Sequence, residues 1–318
     1  MKKNKHRLLT VSALISLTST SIFFINKAIS ASAVIKNLLK GKSEKYYDWR
    51  FGKIHYKVQG SGSPLLLIHD VSPCCSTDEW KYLCDALSVD HTVYSIDLLG
   101  CGCSDRPKIT YTNFLYVQLI TDFIHNVIKK KTDVITSGLS GSFAVMACRN
   151  DETIINRILM INPEDLAVLN QVPTKKSKAA KFILELPLIG TLLYNFIMAR
   201  GNIDLQFTEH YLHNPFHYDL DLMDAYYESA HLDQGNGKYL LASLKGKYLY
   251  CNIAQVLQKI NNSIYILQGN EENRAKESIA LYTSINPSIE HELLPHQKHL
   301  PHIEEPDKIL ETAKIFFI

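Results

Sequence analysis

The sequence predicts an α/β fold: a mainly parallel, doubly wound sheet with helices on both faces, an all-helical insertion and an apolar helix at the N-terminus. Three observations predict it. From about residue 45, short β-branched runs alternate with helical stretches. Most of those runs are continuously apolar, as strands covered on both faces must be. The alternation breaks once, between about 165 and 255, where the chain turns helix-rich before strand-like sequence resumes. With 318 residues, 46% hydrophobic and 21% charged, the chain can bury a large core and is unlike disordered or disulfide-scaffold sequences.

The chain opens with Lys2, Lys3, Lys5 and Arg7, followed by residues 8–25, which carry no charge and comprise 11 apolar and 7 hydroxyl side chains. As a helix of ~18 residues this stretch reaches ~27 Å, about one bilayer core, and its Ser and Thr hydroxyls can bond back to helix carbonyls. The basic lead predicts a cytoplasmic N-terminus and a translocated remainder. An uncleaved single-pass anchor is preferred over a signal peptide cut near 28–33, because the apolar run exceeds the ~7–15 residues of a signal core. Residues 1–44 are therefore expected to form the anchor and linker, and 45–318 the globular domain. Removing the four leading cations from a net charge of +2 leaves a weakly acidic body, which argues against a nucleic-acid surface.

Strands are expected at 53–60, 64–70, 91–99, 133–138, 157–163 and 263–269, with a further strand before the last helix. Helices are expected at 77–88, 113–130 and 142–150. Ligands belong at the carboxyl ends of such strands. Residues 182–199 are apolar, but Glu185, Pro187 and Gly190 interrupt them, so they read as lid rather than as a second span. The lid aromatics Tyr211, Phe216, Tyr218, Tyr226 and Tyr227 suit a substrate pocket or the lid's own core. The seven cysteines include no C-x-x-C pair. Cys74, Cys75, Cys101 and Cys103 are expected as free thiols filling the pocket mouth, with no structural metal and no cofactor.

Three loops carry chemistry. In 133–148 a strand–turn–helix pattern surrounds Gly138-Leu139-Ser140-Gly141-Ser142. A nucleophile elbow needs small residues two before and two after its serine, so Ser140 is the expected nucleophile, ahead of Ser142, with the Gly141 N–H as an oxyanion donor. Near the C-terminus His296, His299 and His302 compete as base, and His299, in the loop itself, is the central choice. The loop after 263–269 offers Glu271 and Glu272, with Glu272 preferred to orient the imidazole and Glu164 and Asp165 as fallbacks.

The chain resembles the α/β-hydrolase superfamily, and in particular its single-span clostridial members. Leu65–Asp70 is similar to the family's strand followed by His-Gly. Residues 96–107, IDLLGCGCSDRP, resemble its aspartate–glycine–serine–proline loop, and 299–306, HLPHIEEP, its histidine loop and following helix. The resemblance covers about 45–318 in the family's order. It implies an α/β-hydrolase fold with Ser140 as nucleophile, His299 as base and Glu272 as acid. It implies Val71 and Gly141 as oxyanion donors, and His69, Asp70 and Leu139 lining the substrate site. The expected activity is hydrolysis of a moderately apolar, ester-like small molecule through an acyl-enzyme. An aspartate at the elbow would instead indicate dehalogenase or epoxide chemistry, and the serine expected there argues against both. Asp70 stands where the family has glycine, Ser142 replaces an elbow glycine, and Lys298 precedes the histidine where glycine is usual. Asp70 is the best support for a second reading, a binding or scaffold protein without catalysis. A third keeps the triad for C–C bond hydrolysis or acyl transfer.

Overall fold

The computed structural model describes residues 2–39, 44–216 and 219–317. Two hairpin strands, β1 (Lys45–Trp49) and β2 (Gly52–Gln59), pair antiparallel and lead into a parallel array. The array comprises β3 (Ser63–Ile68), β4 (His91–Ile96), β5 (Thr132–Ser137), β6 (Ile155–Ile161), β7 (Ile264–Gly269) and β8 (Glu290–Leu294). The order across the sheet is β1-β2-β4-β3-β5-β6-β7-β8, and every pair from β4 onward is parallel.

Strand β3 shows why its run is apolar throughout. Leu66 and Ile68 join the core on one face of the sheet, while Leu65 and Leu67 join the core on the other. Both faces are covered because each parallel crossover lays a helix on the sheet. α1 is the N-terminal helix (Lys2–Ala33). Of the sheet-packing helices, α2 (Lys81–Leu87) sits on the Leu65 face, whereas α3 (Asn113–Phe123) and α4 (Ser140–Asn150) sit on the Leu66 face. Thr112 caps α3 by accepting from the Leu115 N–H. The fully buried Leu65, Leu66, Leu67 and Ile68 side chains of β3 are worth about 1.5–3 kcal/mol each in transfer terms.

Between β6 and β7 the chain is helical. It forms α5 (Leu166–Leu169), α6 (Lys175–Glu185), α7 (Ile189–Ile197), α8 (Arg200–Gln206), α9 (Leu220–His231), α10 (Lys238–Lys245) and α11 (Ala254–Leu257). α6 and α7 meet at 104°, at the expected interruption by Pro187. Beyond β7 follow α12 (Ala275–Ile285), α13 (Pro301–Glu304) and α14 (Pro306–Phe316), the last packed on the Leu65 face. The lid has its own core, in which Tyr194, Phe207 and Tyr226 pack with Cys74 and Cys75 from the sheet edge. All seven cysteines are unbridged. Of the expected lid aromatics, Tyr218 lies outside the described residues, Phe216 is 94% exposed, and Tyr226 is buried lid core.

Two differences from the expected elements matter. The strand β1 has the pattern of an edge, with only Trp49 buried, and its polar sequence concealed it. α4 begins at Ser140, two residues before the expected start at 142. That shift moves the tip of the turn.

Candidate active site

The turn after β5 is tight, and Gly138 forms its tip with φ +56°. Leu139 already has helical angles and Ser140 opens α4. A left-handed backbone angle at the tip is where a nucleophile elbow holds its reactive residue. Here that residue has no side chain. Ser140 is fully buried, and its Oγ donates to the Ile68 and Ser137 carbonyls at 3.0 and 2.8 Å. The expected pairing of Ser140 with His299 is therefore corrected: a residue two places into the turn points back into the sheet. Ser142 likewise donates to the Leu139 carbonyl. The Gly141 N–H is spent on the Gly138 carbonyl at 3.3 Å, so it is not the oxyanion donor expected of it.

The space over Gly138 is filled from the neighbouring loop. A Cβ on Gly138 would lie 2.2 Å from Asp70 Oδ1 and 2.3 Å from its Cγ. Asp70 follows β3, and its carboxylate lies where a side chain at the tip of the turn would be. Asp70 Oδ1 accepts from the Leu139 N–H at 2.8 Å, and the neighbouring Val71 amide also favours the charged carboxylate. The Leu139 amide, from the loop opposite Asp70, is thus placed as one donor of an oxyanion hole would be. Asp70 Oδ2 lies 3.3 Å from His299 Nε2, and the other ring nitrogen, Nδ1, donates to Glu272 Oε1 at 2.9 Å. Asp70, His299 and Glu272 thus form one hydrogen-bonded line. Each side chain is only about a fifth exposed, at 19%, 22% and 23%.

The charges in this line support one another. Burial alone would lower the His299 pKa, but the hydrogen bonds and charges of Asp70 and Glu272 outweigh it and hold the imidazole well above its ordinary value. Burial would likewise raise Asp70, yet His299 and the Val71 and Leu139 amides keep its carboxyl below the usual range. Glu164 is pushed up to about 7, by burial first and by the nearby Asp70 charge second. It shares with Asp70 and Leu139 the lining of two adjoining cavities.

Three further groups position the line. His69 is fully buried; its Nε2 accepts from the Leu98 N–H and its Nδ1 donates to the Asp70 carbonyl. It braces the backbone of Asp70 and lines neither cavity, which corrects its expected place among substrate-binding residues. Asp70 and Leu139 do line both. Asn162, at φ +44° just beyond β6, donates through Nδ2 to the Lys298 and His299 carbonyls and accepts from the Gly269 N–H. It ties the histidine loop to the strand ends. Gly269 allows that loop in, since a Cβ there would meet the Lys298 carbonyl oxygen at 2.4 Å. Sequence reasoning missed Asn162; an asparagine directly after a strand, a residue type that tolerates left-handed angles, was the available signal. The 96–107 loop is scaffold. Asp97 accepts from the Thr77 and Cys103 N–H groups, and buried Arg106 donates to the Gly100 and Gly102 carbonyls.

Glu271 pairs with His213 at 2.9 Å, with His296 at 3.7 Å, whereas Glu272 is the acid bonded to His299. His213, Glu271 and His296 have the donor set for a divalent ion on the surface, and His55, Asp97 and Cys103 have one in the interior. His302 is buried against Glu79 at 3.1 Å, beneath the lid. The ring of Tyr211 stacks on His299 at 5.2 Å and reaches the larger cavity, of about 560 Å³, between the lid and Asp70.

Comparison with known proteins agrees with this architecture. An uncharacterized protein of Mycobacterium tuberculosis is 24% identical over 139 residues, covering 42% of this chain and 40% of that protein. A soluble epoxide hydrolase of a Corynebacterium species is 26% identical over 110 residues, covering 35% of this chain and 38% of that protein. The aligned segments thus span about two-fifths of the length of these curated relatives, neither of which is clostridial. A serine hydrolase involved in carbazole degradation superposes with a TM-score of 0.70 at 16% identity, over 86% of this chain and 98% of its own. The model of the alpha/beta hydrolase family matches residues 65–312, and the chain belongs to that family.

Proposed function

We propose that the protein is a hydrolase whose nucleophile is Asp70, acting through an alkyl–enzyme ester on a substrate with an electrophilic saturated carbon, of the epoxide or alkyl halide type. The observation that carries this is the Asp70 carboxylate standing over Gly138, hydrogen-bonded to Leu139 and within reach of His299. The likeness of part of the chain to a soluble epoxide hydrolase is consistent with the reading. In the first half-reaction Asp70 Oδ2 attacks the carbon, the new C–O bond forms, and the bond to the leaving group breaks with its electron pair. Esterification removes the Asp70 charge, one of the two that raise His299, so the imidazolium passes a proton to the alkoxide of an opened epoxide, or to solvent where a halide has left, and becomes a base when one is needed. Neutral His299 then takes a proton from water, hydroxide adds to Asp70 Cγ, and the oxyanion forms on Oδ1, where the Leu139 amide donates to it. Collapse expels the alkoxide, which leaves protonated as an alcohol, and restores the carboxylate. Glu272 holds the imidazole in place throughout.

The ester reading requires a hydroxyl facing His299, as do C–C bond hydrolysis and acyl transfer by a serine triad. Ser140, held by two backbone carbonyls, supplies none. The test is trapping. His299→Gln, exposed to a panel of terminal epoxides and alkyl halides, is expected to accumulate a covalent adduct on the peptide containing Asp70, detected by mass spectrometry. Absence of any adduct at Asp70 across the panel, in folded protein, overturns the reading and leaves the non-catalytic one.

For location, we propose the uncleaved anchor. Asn26, Ser30 and Ala33 form one buried stripe of α1 against the lid, with Asn26 Nδ2 donating to the Leu188 carbonyl and Asn195 donating to Asn26. Beyond it the Leu38 N–H donates to Glu228, and Lys36 pairs with Asp224. A cut near 31–33 would fall inside this docked helix. A reporter fused after residue 45 that is active only in the cytoplasm would overturn the N-in, domain-out orientation.

A further inference from the structure

The lid surface where α1 departs has a pattern that the hydrolase site does not explain. From Asn26 toward the C-terminus α1 is docked; from residue 25 back to residue 10 its side chains are mostly exposed. The helix therefore leaves the lid at the corner between α6 and α7, where Leu188 accepts from Asn26. From that corner α7 carries Ile189, Leu193 and Phe196, spaced i, i+4 and i+7 on one face and 59%, 36% and 71% exposed. Phe196, together with Leu205 of α8 at 55% exposed, lines the large cavity that also contains Asp70. On the other side of the corner α6 exposes Phe182 and Ile183, and one to two turns earlier Lys175, Lys176 and Lys178. Isolated exposed apolar residues are ordinary. A continuous stripe from the exit of an apolar helix to the mouth of a cavity is not, and lysines flanking it suit anionic headgroups.

We propose that the α6–α8 face of the lid rests on a bilayer containing anionic phospholipid, with Ile189, Leu193 and Phe196 at the headgroup–acyl boundary, so that the cavity over Asp70 opens to the membrane and takes an amphiphilic substrate dissolved there. The proposal rests on the anchor reading of α1, and its substrate clause narrows the class proposed above. The lid is then a docking surface as well as a cover, and α1 fixes its height by holding the corner.

The test uses the full-length chain in liposomes of phosphatidylcholine and phosphatidylglycerol that include a phospholipid with a photoactivatable group in its acyl chain. Cross-linked peptides are mapped by mass spectrometry. Label is expected on 10–25 and on 182–205, and not around Phe114, an equally exposed aromatic on α3 (73%). Ile189→Ser/Leu193→Ser/Phe196→Ser is expected to lower lid labelling at least about tenfold while α1 labelling persists. Phe196→Ser alone, a change to an exposed residue, serves if the triple variant misfolds. Label on α1 with none on the lid overturns this proposal and leaves the anchor. Label on neither overturns both. Equal label at Phe114 shows indiscriminate contact and also overturns it. None of these readouts depends on the role of Asp70.

Discussion

The loops after β3 and β5 meet at the same sheet edge and divide between them what a nucleophile elbow ordinarily unites. The β5 loop keeps the geometry: a left-handed tip at Gly138, a helix starting two residues on, and the Leu139 N–H aimed at the tip. The β3 loop supplies the reactive group, Asp70, braced from below by His69. A catalytic position is thus a place in space relative to a base and an amide donor, and either loop can fill it. The glycine and the aspartate are complementary, because any side chain at 138 would collide with the carboxylate and any smaller residue at 70 would leave the place empty.

The largest effect expected from breaking this complementarity is loss of turnover. Asp70→Asn keeps the shape and removes the nucleophile, and kcat is predicted to fall at least about a thousandfold with the folded circular-dichroism spectrum retained. The sharpest version moves the nucleophile back. Asp70→Gly/Gly138→Ser builds a serine opposite His299 and Glu272, and it should react with a fluorophosphonate at residue 138, whereas the parent should not. Ordinary labelling of the parent at Ser140 would contradict the division of labour.

A smaller effect concerns pH. Glu164 is raised to about 7 in the folded protein and returns to near 4.5 when unfolded. Between those values the native state keeps a proton that the unfolded chain releases, so stability falls as pH rises through the window, by up to about 3 kcal/mol. Denaturant titrations from pH 5 to 8 should show that decline in the parent and a much flatter profile in Glu164→Gln. The smallest effect is at Ser140. Ser140→Ala loses two hydrogen bonds to backbone carbonyls, which should cost about 1 kcal/mol of stability and leave kcat within about twofold. A collapse of activity with normal stability would restore Ser140 as the nucleophile.

Much of this was legible beforehand, for identifiable reasons. The parallel strands are apolar on both faces, so β3 through β7 announced themselves, while β1 was hidden by an edge pattern in which only Trp49 is buried. Glu272 and His299 lie in loops directly after strands, and strand ends converge at one sheet edge, so their meeting followed from topology. The turn after β5 was misread because Ser-Gly-Leu-Ser-Gly-Ser repeats small residues: a hydroxyl two places past the tip looks like a nucleophile, and a glycine at the tip looks like its neighbour. Only backbone angles separate the two registers. Asp70 was visible as a departure after His69, but its meaning depended on the empty place across from it, in a loop almost seventy residues away.

The central claim is tested most directly by where water oxygen goes. The full-length protein is turned over once, in enzyme excess, in ¹⁸O-labelled water with whichever epoxide or alkyl halide forms the His299→Gln adduct, and its peptides are then weighed. Attack of water on Asp70 Cγ predicts ¹⁸O in the Asp70 carboxylate and unlabelled oxygen in the first alcohol released. Label in the alcohol with none in Asp70 would mean that water attacks the substrate directly, and the account of Asp70 as nucleophile would be wrong.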